Sequence, residues 1–515
     1  MKKALAIILG MVILSQAAFA GGQKADTSTS GGLPFVEFDW YTVETPQPDD
    51  QMVNDAINEY IKPLINAKVT IHNLGAAEYR DRVPIMLASG QDMGIVAYGH
   101  IQLDYLINAQ NGSFRSIDTL LDQYAPKTKA LLSQKVWDGM KVDGHIYGIP
   151  AIKDNCYIIP LVYNDTMAKK LGIDMTKTPY TGNIYKIESW LNEVKAKRDQ
   201  VYGKLEEPLV GDYLYLEMPF NFVIDSIFSD NFLAVMNIEG VMDVAGYDQY
   251  KIFDLYETKE YRDYCKALQR MTANNIRAYD YEGKNSWNYN GNMFAWMGWG
   301  YTYIPENLYG DIFTTKLLET DMAHIWTSTQ NYYSSGHTIS ANAKNPERLM
   351  MFLELVNNDP KLATMLRFGI EGQHYIRNSA GKMVFEGSPR NSDASNRGYH
   401  YWYGQYGNLA IVEAPESYSG PNSIMMTKIE QFNKAATVPA YFGFSFNPNS
   451  VVNEIAACTN VVKEYSDTLR KGQAASEAEV DRLINEFTAK LKANGVDRIV
   501  AEAQKQADAW RAASR

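Results

Sequence analysis

The sequence predicts an α/β protein built from more than one domain. Three observations carry this. Strand-like segments alternate with segments of helical periodicity over most of the chain. The N-terminal part reads β-α-β-α-β, the opening of a mostly parallel sheet. The chain has 515 residues, 46% of them hydrophobic, which is too long for one core and implies two or three domains.

The elements follow in order. Lys2 and Lys3 precede an apolar run from Ala4 to Leu14, and Ala18-Phe19-Ala20 stands before Gly21-Gly22. This is the layout of an export signal cleaved after Ala20, with an apolar run too short to span a bilayer. No cysteine follows the cleavage site, so no lipid anchor is expected; the mature chain is expected to be exported and soluble. Residues 21–32 (GGQKADTSTSGG) form a flexible lead-in. Leu33 to Tyr41 alternates like a strand and ends in the turn Thr45-Pro46-Gln47-Pro48. From Gln51 to Ile65, Met52, Ile57, Tyr60, Ile61 and Leu64 make a helical stripe. Lys68 to His72 reads as strand, Tyr79 to Ala88 as helix and Met93 to Tyr98 as a buried strand. Pro63 and Pro84 blur the ends of those two helices.

Further on, Asn345-Pro346-Glu347 opens a helix with a cap, a first-turn proline and an acid. Leu349, Met350, Phe352, Leu353 and Val356 form its apolar face, and Pro360 lies beyond its end. Ser476-x-x-Glu479 is a capping box, followed by Val480, Leu483, Ile484, Phe487 and Leu491 at helical spacing and a stop at Gly495. Ile499 to Ala513 makes a last helix carrying Trp510. The three cysteines, Cys156, Cys265 and Cys458, are read as small buried hydrophobes.

Composition excludes several functions. The net charge of −11 argues against nucleic-acid binding, which needs a basic surface. Three cysteines cannot make a disulfide scaffold. The chain has no G-x-S-x-G, H-E-x-x-H, P-loop, G-x-G-x-x-G or EF-hand loop. Its seven histidines are scattered without metal-ligand spacing, so neither metal nor cofactor is expected. Paired carboxylates leave no fixed spacing, so a glycoside hydrolase stays open.

Tyrosine is the odd entry, 35 residues against 19 phenylalanines. Between Tyr281 and Tyr303, eight of 23 residues are aromatic, with Asn285, Asn288, Asn290 and Asn292 interleaved. A second cluster runs from Tyr399 through His400, Tyr401 and Trp402 to Tyr403. Sugars offer apolar C–H faces ringed by hydroxyls, so a sugar site needs flat aromatic platforms edged by amides and acids.

Several segments resemble the extracellular solute-binding proteins of bacterial ABC importers. Val142-Asp143-Gly144-His145-Ile146-Tyr147-Gly148-Ile149-Pro150 is similar to the family's D-G-K-x-Y-G-I-P stretch, and Tyr163-Asn164-Asp165 follows as it does there. Ala88-Ser89-Gly90-Gln91-Asp92 resembles the approach to the third strand, without the family's proline. Ile339 to Glu347 resembles the I-x-x-x-S-K-N-P-E helix start, and Gly291 to Trp299 its G-x-x-A-M…G-x-W stretch. Phe368-Gly369-Ile370-Glu371-Gly372-Gln373-His374-Tyr375, Gly443-Phe444-Ser445-Phe446, Asn453 to Ala457 and Gln504 to Trp510 resemble the LipO-like subfamily with a DUF3502-type C-terminal region.

The resemblance implies a type II periplasmic-binding-protein-like fold, two α/β lobes joined by a hinge, with extra C-terminal helices. Residues 33–150 plus 335–400 would form lobe 1, residues 151–334 lobe 2, and residues 401–515 a region packed on the lobes. The crossovers fall at Pro150 to Tyr163 and near Trp326 to Ser340. It implies no catalysis, an oligosaccharide held between the lobes, delivery to ABC permease subunits, a periplasmic location and a monomer. Ligands of such folds sit at the carboxyl ends of strands. The expected ligand-binding residues are Trp40, Tyr41, Glu44, Tyr98, His100, Asp154, Tyr157, Trp296, Trp299, Trp326, Glu371 and Trp402. An exported carbohydrate-active enzyme, a binder of another solute, and a scaffold without a small ligand are the alternatives.

Overall fold

The computed structural model describes residues 32–99, 102–153, 155–156, 161–180, 184–212, 232–238, 244–279, 292–297, 325–391, 398–401, 407–416 and 431–513.

The predicted opening is present. Strand β1 (Val36–Val43), helix α1 (Asp50–Ile65), β2 (Ala67–Leu74), α2 (Ala76–Ala88) and β3 (Ile95–Tyr98) follow one another, and β1 pairs in parallel with both β2 and β3. Strand β1 is covered on both faces. Phe38 and Trp40 pack with Val53, Ile57 and Ile61 of α1, while Tyr41 and Val43 pack with Tyr79, Val83 and Leu87 of α2. Both helices run through their prolines, since Pro63 falls in the last turn of α1 and Pro84 near the end of α2. Strand β4 (Gly148–Pro150) lies at the far edge of this sheet, and the chain then leaves lobe 1.

Lobe 2 contains β5 (Leu161–Tyr163), α3 (Asp165–Lys170), α4 (Glu188–Tyr202), β6 (Val210–Asp212), α5 (Lys259–Ala273), β7 (Arg277–Tyr279) and β8 (Ala295–Met297). Its sheet has the order β7-β6-β8-β5, with β5 antiparallel to the rest. Asn164 caps α3 by accepting from Met167 N–H at 2.9 Å, so the Tyr-Asn pair serves as strand end and helix start. The chain returns to lobe 1 as β9 (Gly336–Ile339), inserted antiparallel between β3 and β4. Helices α6 (Pro346–Asn358) and α7 (Pro360–Phe368) follow.

The last helices are α8 (Val452–Arg470), α9 (Glu477–Ala493) and α10 (Val496–Ala513). Ser476 accepts from Glu479 N–H at 3.2 Å, as its capping box requires. These helices do not form a separate layer on the lobes. Val461, Tyr465, Phe487 and Ala503 share one core with Tyr256, Tyr261 and Leu268 of lobe 2. Tyr401 packs inside lobe 1, and Leu409 and Val412 pack against Phe368 of α7. Apolar side chains as far as Val412 thus pack with those of lobe 1.

Two crossovers were expected, and a third segment runs beside them. Asn155 N–H donates to the Asn433 side chain at 3.0 Å, and Asn433 donates back to Lys153 O at 2.7 Å. Thr327 N–H donates to Thr437 O at 2.9 Å and Thr437 N–H to Ile325 O at 2.8 Å. Cys156, Ile325 and Phe432 bury one another at this junction. All three cysteines are buried free thiols. Among the described residues no helix is long and apolar enough to cross a membrane.

Candidate functional site

Strand register decides where the two lobes face each other. In lobe 1, Gly336 of β9 stands opposite both Tyr98 and Pro150. The chain therefore leaves after Pro150 and re-enters before Gly336 at the carboxyl end of β3. In lobe 2, β5 enters at Leu161, opposite Met297, the carboxyl end of β8. The parallel strands of both sheets thus point their carboxyl ends toward the crossings, where loops converge and ligands of open α/β sheets bind.

At this edge of lobe 1 the described residues form a closed polar group. Glu44 directly follows β1, and its N–H donates to Leu74 O at 2.9 Å. Thr42 donates to Asn73 Oδ1 at 2.6 Å. Asn73 Nδ2 donates to Asp50 Oδ2 at 2.9 Å and to the Tyr401 hydroxyl at 2.7 Å, and that hydroxyl donates to Asp50 Oδ1 at 2.7 Å. Gln47 and His400 exchange two hydrogen bonds, through Gln47 Nε2 to His400 O at 2.8 Å and His400 N–H to Gln47 Oε1 at 2.6 Å. His400 and Tyr401 of the second aromatic cluster are thereby fixed against the end of β1. Burial, with the Asp50 carboxylate nearby, pushes the Tyr401 hydroxyl far above its ordinary pKa.

Glu44 is the unusual member. Its Oε1 is buried and has no hydrogen-bond partner among the described residues. Burial pushes its pKa up to about 8; Arg367 opposes the shift and Asp50 adds to it. A carboxyl held neutral can donate as well as accept, which suits a hydroxylated ligand. Tyr41 stacks on His72 with ring centroids 4.4 Å apart and planes 14° apart, and His72 Nε2 lies 2.7 Å from Asp39 Oδ1. Burial, reinforced by Asp39, raises the Tyr41 hydroxyl pKa.

Three expected platforms are packing residues. Trp40 is fully buried between Phe352, at 5.3 Å, and His337, at 5.0 Å, because alternation turns it toward α6. Tyr98 is buried against Tyr105 at 4.8 Å, its hydroxyl donating to Tyr332 O at 3.3 Å. Trp326 is buried in the lobe 2 core and pairs with Thr437. None of the three offers a free ring face.

Glu371 is exposed and pairs with Arg377 at 3.1 Å, which also holds Glu413. It borders a depression of about 730 Å³ beside α1 and α7, which no residue of the strand-end group lines. His100, Asp154, Tyr157, Trp299 and Trp402 lie outside the described residues, as does the side chain of Trp296. Strand β8 carries Trp296 at the predicted edge.

Sequence reasoning missed Asp50, Asn73 and Tyr401. Asn73 falls near the end of β2 as Glu44 follows β1, so the strand-end rule could have found it. Asp50 and Tyr401 are joined across 351 residues, a contact no local pattern encodes.

Residues 440–512 match DUF3502, a domain of unknown function. Over 498 residues the chain is 25% identical to a carbohydrate ABC transporter substrate-binding protein of Streptococcus pneumoniae serotype 4 (strain ATCC BAA-334 / TIGR4), covering 95% of this chain and 93% of that one. The crystal structure of the N-glycan transport solute binding protein NgtS from Streptococcus pneumoniae superposes with a TM-score of 0.73 at 20% identity, covering 93% of this chain and all of that one. A human-milk-oligosaccharide (HMO) binding, ABC-transporter associated solute binding protein from Bifidobacterium longum infantis ATCC 15697 gives 0.59 at 13% identity, covering 92% of this chain and 99% of that one. The chain thus has the two-lobed fold of the type II solute-binding proteins. On that fold it carries a DUF3502 C-terminal region, as the ordered motifs of its last third implied.

Proposed function

We propose that this chain is the substrate-binding component of an ABC importer and that its cargo is an oligosaccharide. The observation that carries this is the pair of sheets with their carboxyl ends turned toward a common crossing, in a chain similar over nearly its whole length to a carbohydrate substrate-binding protein. NgtS has also been solved in complex with Man1GlcNAc and with Man5GlcNAc, so that neighbour takes glycans of different size.

The strand-end group of lobe 1 supplies the Glu44 carboxyl, whose Oε1 has no hydrogen-bond partner among the described residues, with the Asn73 amide and the Asp50 carboxylate beside it. Tyr41, buried under α2 and stacked on His72, is a packing residue. Ligand contacts made in both lobes favour the closed state by their differential affinity. The closed form then docks on membrane permease subunits, and no covalent chemistry takes place on this chain. The protein acts as an exported monomer, freed by cleavage near Ala20.

Isothermal calorimetry against a panel of purified oligosaccharides tests the reading. Saturable binding to at least one, with small-angle scattering reporting compaction, is the expected outcome. Binding of peptides or other solutes while every oligosaccharide fails would overturn it.

A further inference from the structure

The C-terminal region shares its core with lobe 2, yet it also touches lobe 1 through residues 441–445. Phe442 points to lobe 1, where its ring meets Tyr332 edge-on at 5.6 Å. Gly443 N–H donates to Thr329 Oγ1 at 2.7 Å. Backbones meet here too. A Cβ on Gly443 would stand 2.7 Å from Gly139 Cα, and one on Gly139 would stand 2.8 Å from the Phe442 ring. Only glycine at both positions allows this approach, and Gly443 also adopts φ +94°. Tyr333 locks the same spot by donating to Gly139 O at 2.6 Å.

The flanking residues point the other way. Tyr441 and Phe444 pack on Trp510 of α10 at 6.3 and 6.1 Å. The Tyr441 hydroxyl reaches Asp508 Oδ1 at 3.2 Å. The segment therefore holds α10 with one set of side chains and lobe 1 with the other. Its partner, the short helix Thr329–Tyr333, lies within the return crossover just before β9 and shares a core with Tyr98 and Tyr105 of lobe 1, and Thr437 of the third crossing lies just upstream.

We propose that Tyr441–Ser445 is the fulcrum of the molecule. The DUF3502 region, rigid with lobe 2, presses Phe442 and Gly443 against Gly139 and the Thr329–Tyr333 helix, and so sets the angle and axis about which the lobes move. This gives the region a mechanical role in the closure proposed above and rests on that reading for its ligand arm alone.

The test places spin labels at Ile85→Cys in α2 and Val201→Cys in α4, which are 70% and 45% exposed and lie on opposite lobes. The native thiols are buried and stay unlabelled. Pulsed electron resonance then reads the interlobe distance without ligand. A single narrow distribution is expected in the labelled parent, a broadened one in Phe442→Ala, and near-parent behaviour in Phe442→Leu, which keeps an apolar plug. Thr329→Val removes only the acceptor of Gly443 N–H, broadens the distribution less, and supplies the comparison if Phe442→Ala does not fold. Folded variants that keep the parent distribution overturn the fulcrum. With an oligosaccharide that binds the parent, Phe442→Ala should weaken affinity about tenfold. A parent that binds no oligosaccharide defeats the transport reading, while the ligand-free distances still judge the fulcrum.

Discussion

Glu44 places an acid where burial disfavours its charge. Its pKa rises from 4.5 to about 8, so the folded protein holds a proton that the unfolded chain releases. Stability from this group is therefore full below about pH 4.5, falls as pH rises through about 8, and levels off above. Glu44→Gln should flatten that slope, and denaturant unfolding at about pH 5 and about pH 9 should differ by up to a few kcal/mol less in the variant. Gly369 makes a second residue-scale case. It has φ +79°, and an added Cβ would lie 2.6 Å from His374 Nδ1. That nitrogen accepts from Ile370 N–H at 3.0 Å, so the ring cannot retreat without losing the bond. Gly369→Ala should cost about 2–4 kcal/mol, read by chemical denaturation. The F-G-I-E-G-Q-H-Y motif is thus a folding device, in which Gly369 makes room for a buried His374 facing Asp49 at 3.4 Å.

At the scale of the element, caps and periodicity did not always hold together: α6 has its apolar face, but Asn345 stands before it at φ +51° and its side chain makes no cap hydrogen bond. Helix α9 has both, a Ser476 cap and four buried apolar positions, Val480, Ile484, Phe487 and Leu491. Ser476→Ala leaves Glu479 N–H without its partner and should lower stability by about 1 kcal/mol, measured as a shift in the urea midpoint. The prolines did not shift the ends of α1 and α2, which fall at Ile65 and Ala88 as the periodicity predicted. The end of α1 is held from outside: Arg348 of α6 donates to the carbonyls of Pro34, Ile65 and Asn66. That contact spans the sequence from end to end of lobe 1, and no pattern within α1 announces it.

For the molecule as a whole, the decisive fact is that the C-terminal helices complete a core. Phe487 packs on Tyr256 at 4.7 Å and on Tyr465 at 5.3 Å, tying α9, α8 and lobe 2 together. Deleting residues 440–515 should leave lobe 2 with an open apolar face. The expected product is insoluble or lacks a cooperative thermal transition, where a separable appendage would leave a folded two-lobed remainder; scanning calorimetry distinguishes the two. The third crossing likewise ties distant segments together, through Asn433 to residues 153–155 and Thr437 to residues 325–327.

The sequence by itself determined the class of fold, the order of its opening elements, the cap of α9, and the motifs that mark the C-terminal region. Those features are local, set by periodicity, capping and turn chemistry within a few residues. Tertiary structure alone decided that Trp40, Tyr98 and Trp326 fill cores, and that Tyr41, one residue from Trp40, is buried on the other side of its sheet in the core that also holds Tyr98. It alone joined Asp50 and Asn73 to Tyr401, and lobe 1 to Phe442. An aromatic ring serves equally well in a core or beneath a sugar. Which of the two it does depends on which distant segment covers it, and that is settled only when the chain has folded.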